Sequence, residues 1–206
     1  MYFQTLDDKG ECVGVYKDGN LYFEEIPSGC NRTWKYAEYL EEDDVDYGSI
    51  FCGNRSLNDA CPAFLIDDWV AVEDKLKAFY RSFVLAKVNM DENCFFDLVP
   101  RPFLLEYCEI RNKITQYVFE NYEKPQNYDF MVDLTKVLAR IRHQKLNIDV
   151  SSLSNQAHLA KFRKAMKKFS QIDPYCRYNI NGTKTGRLTT QKNSFPIMTM
   201  DKDFRS

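Results

Sequence analysis

Apolar residues surround a turn near the N-terminus and then follow helical spacing through the middle of the chain. In residues 2–26, β-rich runs flank Lys17-Asp18-Gly19-Asn20, and Asp-Gly between such runs is typical of a β-hairpin. Asp67 or Asp68 can cap a helix in which apolar residues recur at three- and four-residue steps. That series consists of Trp69, Val72, Leu76, Phe79 and Phe83. The pattern predicts a small N-terminal sheet region followed by a helix.

Two more helices are predicted in the middle of the chain. Pro100 and Pro102 introduce one over residues 103–122, and the Pro125-Gln126-Asn127 break precedes another over 129–144. The apolar stripe of the first helix is Leu105, Ile110, Ile114, Tyr117 and Val118. The second helix directs Met131, Leu134, Leu138 and Ile141 inward and Lys136, Arg140 and Arg142 outward. We interpret both stripes as core positions.

A basic helix is predicted over residues 155–170, after a turn at Asn147-Ile148-Asp149 and a cap at Ser151 or Ser154. One face holds Leu159, Phe162, Met166 and Phe169, and the rest holds Lys161, Arg163, Lys164, Lys167 and Lys168. Asp173-Pro174 ends this helix, and residues 177–180 are predicted to form a strand. The basic pattern alone fits a solvated face as well as a phosphate-binding face.

These elements predict an α+β fold in three regions. Residues 1–66 form an acidic, β-rich N-terminal region, residues 67–127 a helical scaffold, and residues 128–206 a basic C-terminal region. Hydrophobic residues make up 44% of the 206 positions and aromatic residues 15%, which is enough for a packed core.

Cysteine and histidine usage argues against a metal or disulfide framework. The seven cysteines are scattered, and neither of the two histidines lies near a cysteine at zinc-ligand spacing. We therefore expect reduced core thiols and no metal site. The chain has neither an apolar run of membrane-spanning length nor a signal-peptide pattern, so we expect a cytoplasmic protein with no membrane contact.

The net charge of −2 conceals a strong asymmetry along the chain. Residues 1–75 hold 6 Lys+Arg against 17 Asp+Glu, whereas residues 136–206 hold 15 Lys+Arg against 4 Asp+Glu. Any polyanion is therefore expected to meet the C-terminal third of the chain. The acidic N-terminal third suits a separate protein partner.

One loop near the C-terminus carries the most specific chemistry. Gly182 and Gly186 bracket a short run that includes Lys184, and Arg187 follows immediately. Glycine lets the backbone approach a ligand closely, and arginine offers a planar fork of donors to phosphates or base edges.

The amino-acid sequence of this loop resembles that of a known protein family. Thr185-Gly186-Arg187-Leu188-Thr189-Thr190 is similar to the Thr-Gly-Arg-Leu-Ser-Ser motif that opens the palm of family A DNA polymerases, and Phe195-Pro196-Ile197 and the charged run 201–205 continue the likeness. Upstream, Val137–Ile141, Asn147–Asp149 and Leu153 resemble the segment that leads into the thumb of that family. The chain therefore resembles the phage-like branch of family A DNA polymerases.

The resemblance implies shortened thumb helices, the start of a palm strand and binding of primer–template DNA. It assigns DNA contacts to Lys161, Lys164, Lys167, Lys168, Lys184, Thr185, Gly186, Arg187, Thr189, Thr190 and Asn193. The catalytic palm aspartates, which hold Mg²⁺ and align a dNTP in a complete nucleotidyltransferase of this family, are expected beyond residue 206. We therefore expect no catalytic residue or cofactor in this stretch, no activity of this stretch alone, and a phage enzyme acting in bacterial cytoplasm.

Two other classes of function remain open, and one further activity is disfavoured. The chain could be a non-catalytic DNA-binding accessory protein, or a structural helical interaction module that leaves the Arg187 loop unexplained. A proofreading nuclease needs two acids one residue apart on a strand, a spacing that Asp44 and Asp46 have. The run from Glu38 to Asp46 is too acidic for a buried strand, so we interpret it as a solvated face.

Overall fold

A computed structural model describes most of the chain, in two compact units, Met1–Lys136 and Val137–Ser206. The elements of both units confirm the predicted α+β class. Within the described residues, no helix is both long enough and apolar enough to cross a membrane. The described residues are 1–7, 14–23, 26–40, 44–90, 92–149, 151, 155, 157–179, 187–192 and 194–204, without the side chains of Arg142, His143 and Asp203.

The predicted N-terminal hairpin is confirmed as part of a three-stranded antiparallel sheet. Its strands β1 (Gln4–Thr5), β2 (Val15–Lys17) and β3 (Asn20–Tyr22) lie in the order β1-β2-β3. The turn between β2 and β3 places Asp18 at φ 47° and Gly19 at φ 82°. Positive φ at both central residues matches the twist of the flanking strands, which explains the Asp-Gly pair.

The acidic run contains a strand that the sequence analysis excluded. β4 (Arg32–Thr33) pairs in parallel with β5 (Asp46–Tyr47), and a 3₁₀ helix at Glu38–Leu40 lies between them in the chain. Val45 and Tyr47 are buried, so the interpretation of this run as a fully solvated face was wrong. The pattern misled because the carboxylates occupy positions between apolar side chains that reach the core. The Asp46 carboxylate forms an ion pair with Lys124 at 3.3 Å.

Short helices lie between the sheets and the first long helix, and between the first two long helices. They are α1 (Gly48–Phe51), α2 (Leu57–Ala60), a 3₁₀ helix at Ala63–Leu65 and α4 (Phe95–Leu98). At the start of α2 the Ser56 hydroxyl accepts a hydrogen bond from the Asp59 backbone N–H at 3.3 Å. This cap satisfies one of the donors that a helix N-terminus leaves unpaired.

The first long helix, α3, spans Ile66–Leu85. Leu65 occupies its N-cap position, so the prediction that Asp67 or Asp68 caps the helix was wrong. Both aspartates lie in the first turn, where a carboxylate interacts favourably with the helix dipole. The predicted apolar stripe is confirmed: two of its members are buried and the other three pack against the core.

The second long helix, α5, spans Arg101–Asn121 and begins with a proline in its first turn. Leu104 is 2% exposed whereas Leu105 is 37% exposed, so the prediction of Leu105 as a core residue was wrong. At 100° per residue, Leu105 lies about 180° from Ile114, on the opposite side of the helix, whereas Leu104 lies about 80° from it.

One hydrophobic core unites the sheet and these helices. Leu6 and Tyr16 lie in the same buried cluster as Trp69 and Val72 of α3. From α5 this cluster takes Phe103, Leu104, Tyr107, Cys108, Ile110 and Ile114. The predicted regions 1–66 and 67–127 therefore share a core within the first unit.

The third long helix, α6, spans Tyr128–His143, and the division between the two units falls inside it. Met131 and Leu138 are buried, as predicted, and Arg140 is exposed. At the start of α6 the Tyr128 hydroxyl accepts a hydrogen bond from the Tyr47 backbone N–H at 2.8 Å.

The second unit contains α7 (Ala160–Phe169), β6 (Tyr178–Asn179), β7 (Thr189–Thr190) and a 3₁₀ helix at Lys202–Phe204. Before α7, the Asp149 carboxylate accepts a hydrogen bond from the Ser151 backbone N–H at 2.9 Å, so Asp149 organises the predicted turn. The other predicted cap, Ser154, and Leu153 of the thumb-like segment lie outside the described residues.

Candidate nucleic-acid interface

The basic helix α7 is built around an aromatic face. Phe162, Ala165 and Phe169 are each no more than 9% exposed, and their spacing places them on one side of the helix. α7 begins at Ala160 rather than at the predicted residue 155, and Leu159, predicted to face inward, is 46% exposed at the N-cap position. The last turn carries Lys167 and Lys168, whose charges favour the C-terminal end of a helix dipole.

Contacts among four phenylalanines fix the orientation of this helix within its unit. The Phe169 ring lies 5.3 Å from that of Phe195, and the Phe162 ring lies 5.0 Å from that of Phe204 in an edge-to-face arrangement. Phe195 is only 2% exposed. The same cluster holds Leu146, Ile148, Ile172, Ile197 and Met200 around it. This packing forces the opposite face of α7 towards solvent.

The exposed face of α7 consists almost entirely of cations. Its exposed side chains include Lys161, Arg163, Lys164, Lys167 and Lys168. At 3.6 residues per turn these five positions span an arc of about 160°, centred opposite the aromatic face. We call these five residues the basic arc. The arrangement concentrates positive charge on one surface, which is the footprint expected for a polyanion.

Lys161 differs from the other members of the basic arc. Its ammonium lies 2.8 Å from the Asp201 carboxylate and 5.5 Å from the centre of the Phe204 ring. Lys161 stands at the edge of the arc nearest the aromatic face. Lys161 stays a predicted phosphate contact, but phosphate would compete with Asp201 for its ammonium.

Arg163 is a member of the arc that the sequence-based set of DNA contacts omitted. Its side chain is exposed, and it lies on the same side of α7 as Lys167, one turn away. Arg163 was omitted because only the lysines of this helix were selected. A helical projection of the sequence, drawn relative to Phe162 and Phe169, would have included Arg163.

The last two residues of the motif, Thr189 and Thr190, lie in an antiparallel ribbon. β6 pairs with β7 in the register Tyr178↔Thr190 and Asn179↔Thr189. The ribbon extends beyond the strands, because the Gln191 N–H donates to the Arg177 carbonyl at 2.9 Å. It continues to the core, where the Phe195 N–H donates to the Tyr175 carbonyl at 2.9 Å. Before β7 in the chain, the side chain of Arg187 is exposed.

The motif residues fall into two groups. Thr189 and Thr190 are half-buried in the ribbon, and the Thr189 hydroxyl accepts a hydrogen bond from the Asn179 amide at 3.3 Å. Arg187 lies two residues before β7. The other predicted contacts, Lys184, Thr185, Gly186 and Asn193, lie outside the described residues.

A buried thiol sits beneath the ribbon. Cys176 is 1% exposed, and its hydrogen bond with the Tyr178 hydroxyl, together with burial, raises the pKa of Tyr178 to about 12. The phenol of Tyr178 is therefore neutral at physiological pH and adds no negative charge near the motif strands.

Metal-ligating side chains do not cluster over the part of the chain that the structure describes: no three His, Cys, Asp or Glu residues there are arranged to hold an ion. Comparisons with protein-family models, with curated proteins and with solved structures found no match.

Proposed function

We propose that the Val137–Ser206 unit binds duplex DNA through its phosphates, with the basic arc of α7 as the main contact surface. The observation that carries this proposal is the placement of five exposed cations opposite an aromatic core. The excess of Lys+Arg in residues 136–206, 15 against 4 acidic residues, supports it further. Solvation of a helix face does not by itself require such an excess of cations over anions.

The size of the arc limits how much of the DNA it covers. From Lys161 to Lys168 the helix rises by about 10 Å, which corresponds to roughly three base-pair steps. Three or four phosphate contacts are therefore expected, and the logarithm of the affinity should fall against the logarithm of salt with a slope of about −3 to −4. Binding of this kind positions the protein on DNA without reading its sequence.

The more specific proposal is that this stretch belongs to a phage-type family A DNA polymerase and holds primer–template DNA in bacterial cytoplasm. Its support is the similarity of Thr185–Thr190 to the palm-opening motif, together with the position of the exposed Arg187 two residues before β7. In this proposal the basic arc holds the duplex by its phosphates, and Arg187 approaches the minor groove at the primer end. Mg²⁺ and dNTP are expected to bind to palm residues of the complete enzyme.

A comparison of DNA ends tests this proposal against a general DNA-binding accessory function. The full 206-residue chain is titrated with a primer–template junction and with a blunt duplex of equal phosphate number, both fluorescently labelled. The polymerase proposal predicts tighter binding to the junction at every salt concentration. Equal affinities would support the accessory function, and no salt-sensitive binding to either DNA would exclude both.

A further inference from the structure

A second candidate site lies in the first unit, far along the chain from the basic arc. A cavity of about 350 Å³ opens between α2, α3, α4, α5 and the chain segments that follow β1 and β4. This volume lies within the range of sites for small organic ligands. Its walls are Asp7, Trp34, Lys35, Leu57, Leu76, Tyr80, Phe95, Phe96, Tyr107 and Arg111. Half of these side chains are aromatic, so the cavity offers flat apolar surfaces suited to a planar ring.

Arg111 is the unusual member of this wall. It lies on α5 and is only 4% exposed, although a guanidinium is seldom fully buried without acceptors. Its Nη1 donates to the Thr5 carbonyl at a long 3.4 Å, and its side chain also interacts with the Tyr107 hydroxyl. Among the described residues no acceptor faces Nε, which is itself buried. An unsatisfied donor on a buried charged group destabilises the folded protein.

The charge of the wall selects the kind of ligand. Lys35 and Arg111 are cationic and Asp7 is anionic, so the three side chains of the lining that are charged at neutral pH carry a net positive charge. A carboxylate provides two oxygens in a geometry that matches the guanidinium fork. A neutral apolar ligand would fill the aromatic part of the cavity and leave the buried Nε–H of Arg111 without an acceptor.

We propose that this cavity binds a small planar aromatic carboxylate, whose ring packs among the aromatic walls while its carboxylate accepts hydrogen bonds from Arg111. This site is independent of DNA binding by the second unit. A structural role, in which Arg111 only bridges Thr5 and Tyr107, makes a different prediction, because it gives no advantage to an anionic ligand.

Three matched ligands test the proposal on the full chain: naphthalene-2-carboxylate, its neutral carboxamide and 2-naphthylmethylamine, each titrated by calorimetry and by NMR. The carboxylate should bind about tenfold tighter than either other ligand, the effect of one charge-assisted contact. On binding, it should also shift the NMR signal of the Arg111 Nε–H. Equal affinities of the carboxylate and the carboxamide, or no binding of the carboxylate at millimolar concentration, would overturn the proposal.

Variants locate the binding within the cavity. Arg111→Met should weaken carboxylate binding about tenfold and leave carboxamide binding unchanged, whereas Arg81→Met, which removes an exposed arginine on α3, should change neither. Leu76→Trp should fill the cavity and abolish binding of both ligands. If Arg111→Met fails to fold, the Leu76→Trp variant and the three ligands still test whether the cavity binds the carboxylate. Unchanged carboxylate binding in folded Arg111→Met or in Leu76→Trp would contradict the assignment.

Discussion

The Nζ atom of Lys161 lies 2.8 Å from Oδ2 of Asp201, so one member of the basic arc is already held by a carboxylate of its own unit. Both side chains are about half exposed, 47% and 48%, and such pairs contribute at most about 1 kcal/mol to stability. The pair therefore matters more for the charge that the arc presents than for folding. It makes Asp201 a local competitor of DNA phosphate.

Releasing Lys161 should strengthen DNA binding. We expect Asp201→Asn to raise the affinity for duplex DNA about threefold and to steepen the salt slope by up to about 0.9, the contribution of one added phosphate contact. Fluorescence anisotropy over a range of salt concentrations measures both. The control is Asp173→Asn, which removes an exposed carboxylate of the same unit with the same change in net charge. Equal gains in the two variants would show that only net charge matters.

Arg187 should distinguish paired from mispaired primer ends. The minor-groove acceptors of correctly paired bases occupy similar positions whatever the sequence, so one arginine can test pairing geometry. We expect the chain to bind a matched primer–template more tightly than one with a terminal mismatch. Arg187→Ala should remove this preference, at a cost of about 1–3 kcal/mol on the matched DNA.

The alternative for Arg187 is a structural one, in which its side chain pins the ribbon loop. Thermal melting separates the two, because the side chain is exposed and its removal should barely change the melting temperature under the DNA-contact proposal. A large fall in melting temperature with an intact preference for matched ends would identify Arg187 as a structural residue.

The second unit should depend strongly on Phe195. This residue is 2% exposed and contacts Phe169 of α7, so Phe195→Ala should destabilise the unit by about 3–5 kcal/mol. DNA binding should be lost together with the fold, since the core orients the basic arc. Met198→Ala serves as the control, because Met198 is 56% exposed, and it should change stability by less than about 0.5 kcal/mol. Similar unfolding midpoints for the two variants would contradict the described core.

A buried thiol should give the first unit a defined loss of stability at alkaline pH. Burial raises the pKa of Cys108 from 9.0 to about 12, so the folded state keeps a proton that the unfolded state releases. Stability from this group is complete below pH 9 and is lost as the pH rises towards 12. Its contribution should fall by about 1.4 kcal/mol per pH unit in that window. Cys108→Ala should remove that part of the pH dependence of the free energy of unfolding. If the free energy of unfolding falls with pH in parallel for Cys108→Ala and the parent chain, the thiol does not titrate this way.

Periodic patterns predicted the long helices because every turn of a helix that packs on a core places apolar residues on its buried side. The stripes of α3 and α6 and the Asp18-Gly19 turn follow from such local rules. The strand at Asp46–Tyr47 escaped prediction because its pairing with Arg32–Thr33 is non-local and only two residues long. No local rule could reveal that pairing in so acidic a run.

In the candidate sites, too, some features follow from local sequence patterns and others depend on non-local contacts. The charge of the basic arc follows from helical spacing, but the capture of Lys161 by Asp201 depends on how the chain after Phe195 folds back onto α7. The cavity beside Arg111 was not predicted at all. Its walls come from four helices, α2 to α5, and from the segments that follow β1 and β4, and the sequence analysis did not single out Arg111.

The central claim is that the basic arc contacts DNA phosphates, and the salt dependence of binding tests it most directly. The triple variant Lys164→Gln, Lys167→Gln, Lys168→Gln is compared with Lys75→Gln, Lys77→Gln, Lys113→Gln, which removes three exposed lysines from the first unit. Both carry the same net charge, and circular dichroism establishes that both are folded. The proposal predicts that the α7 triple flattens the slope of log affinity against log salt by about 2 to 3, whereas the control stays within about 0.5 of the parent chain. Equal slopes for the two triple variants would contradict it.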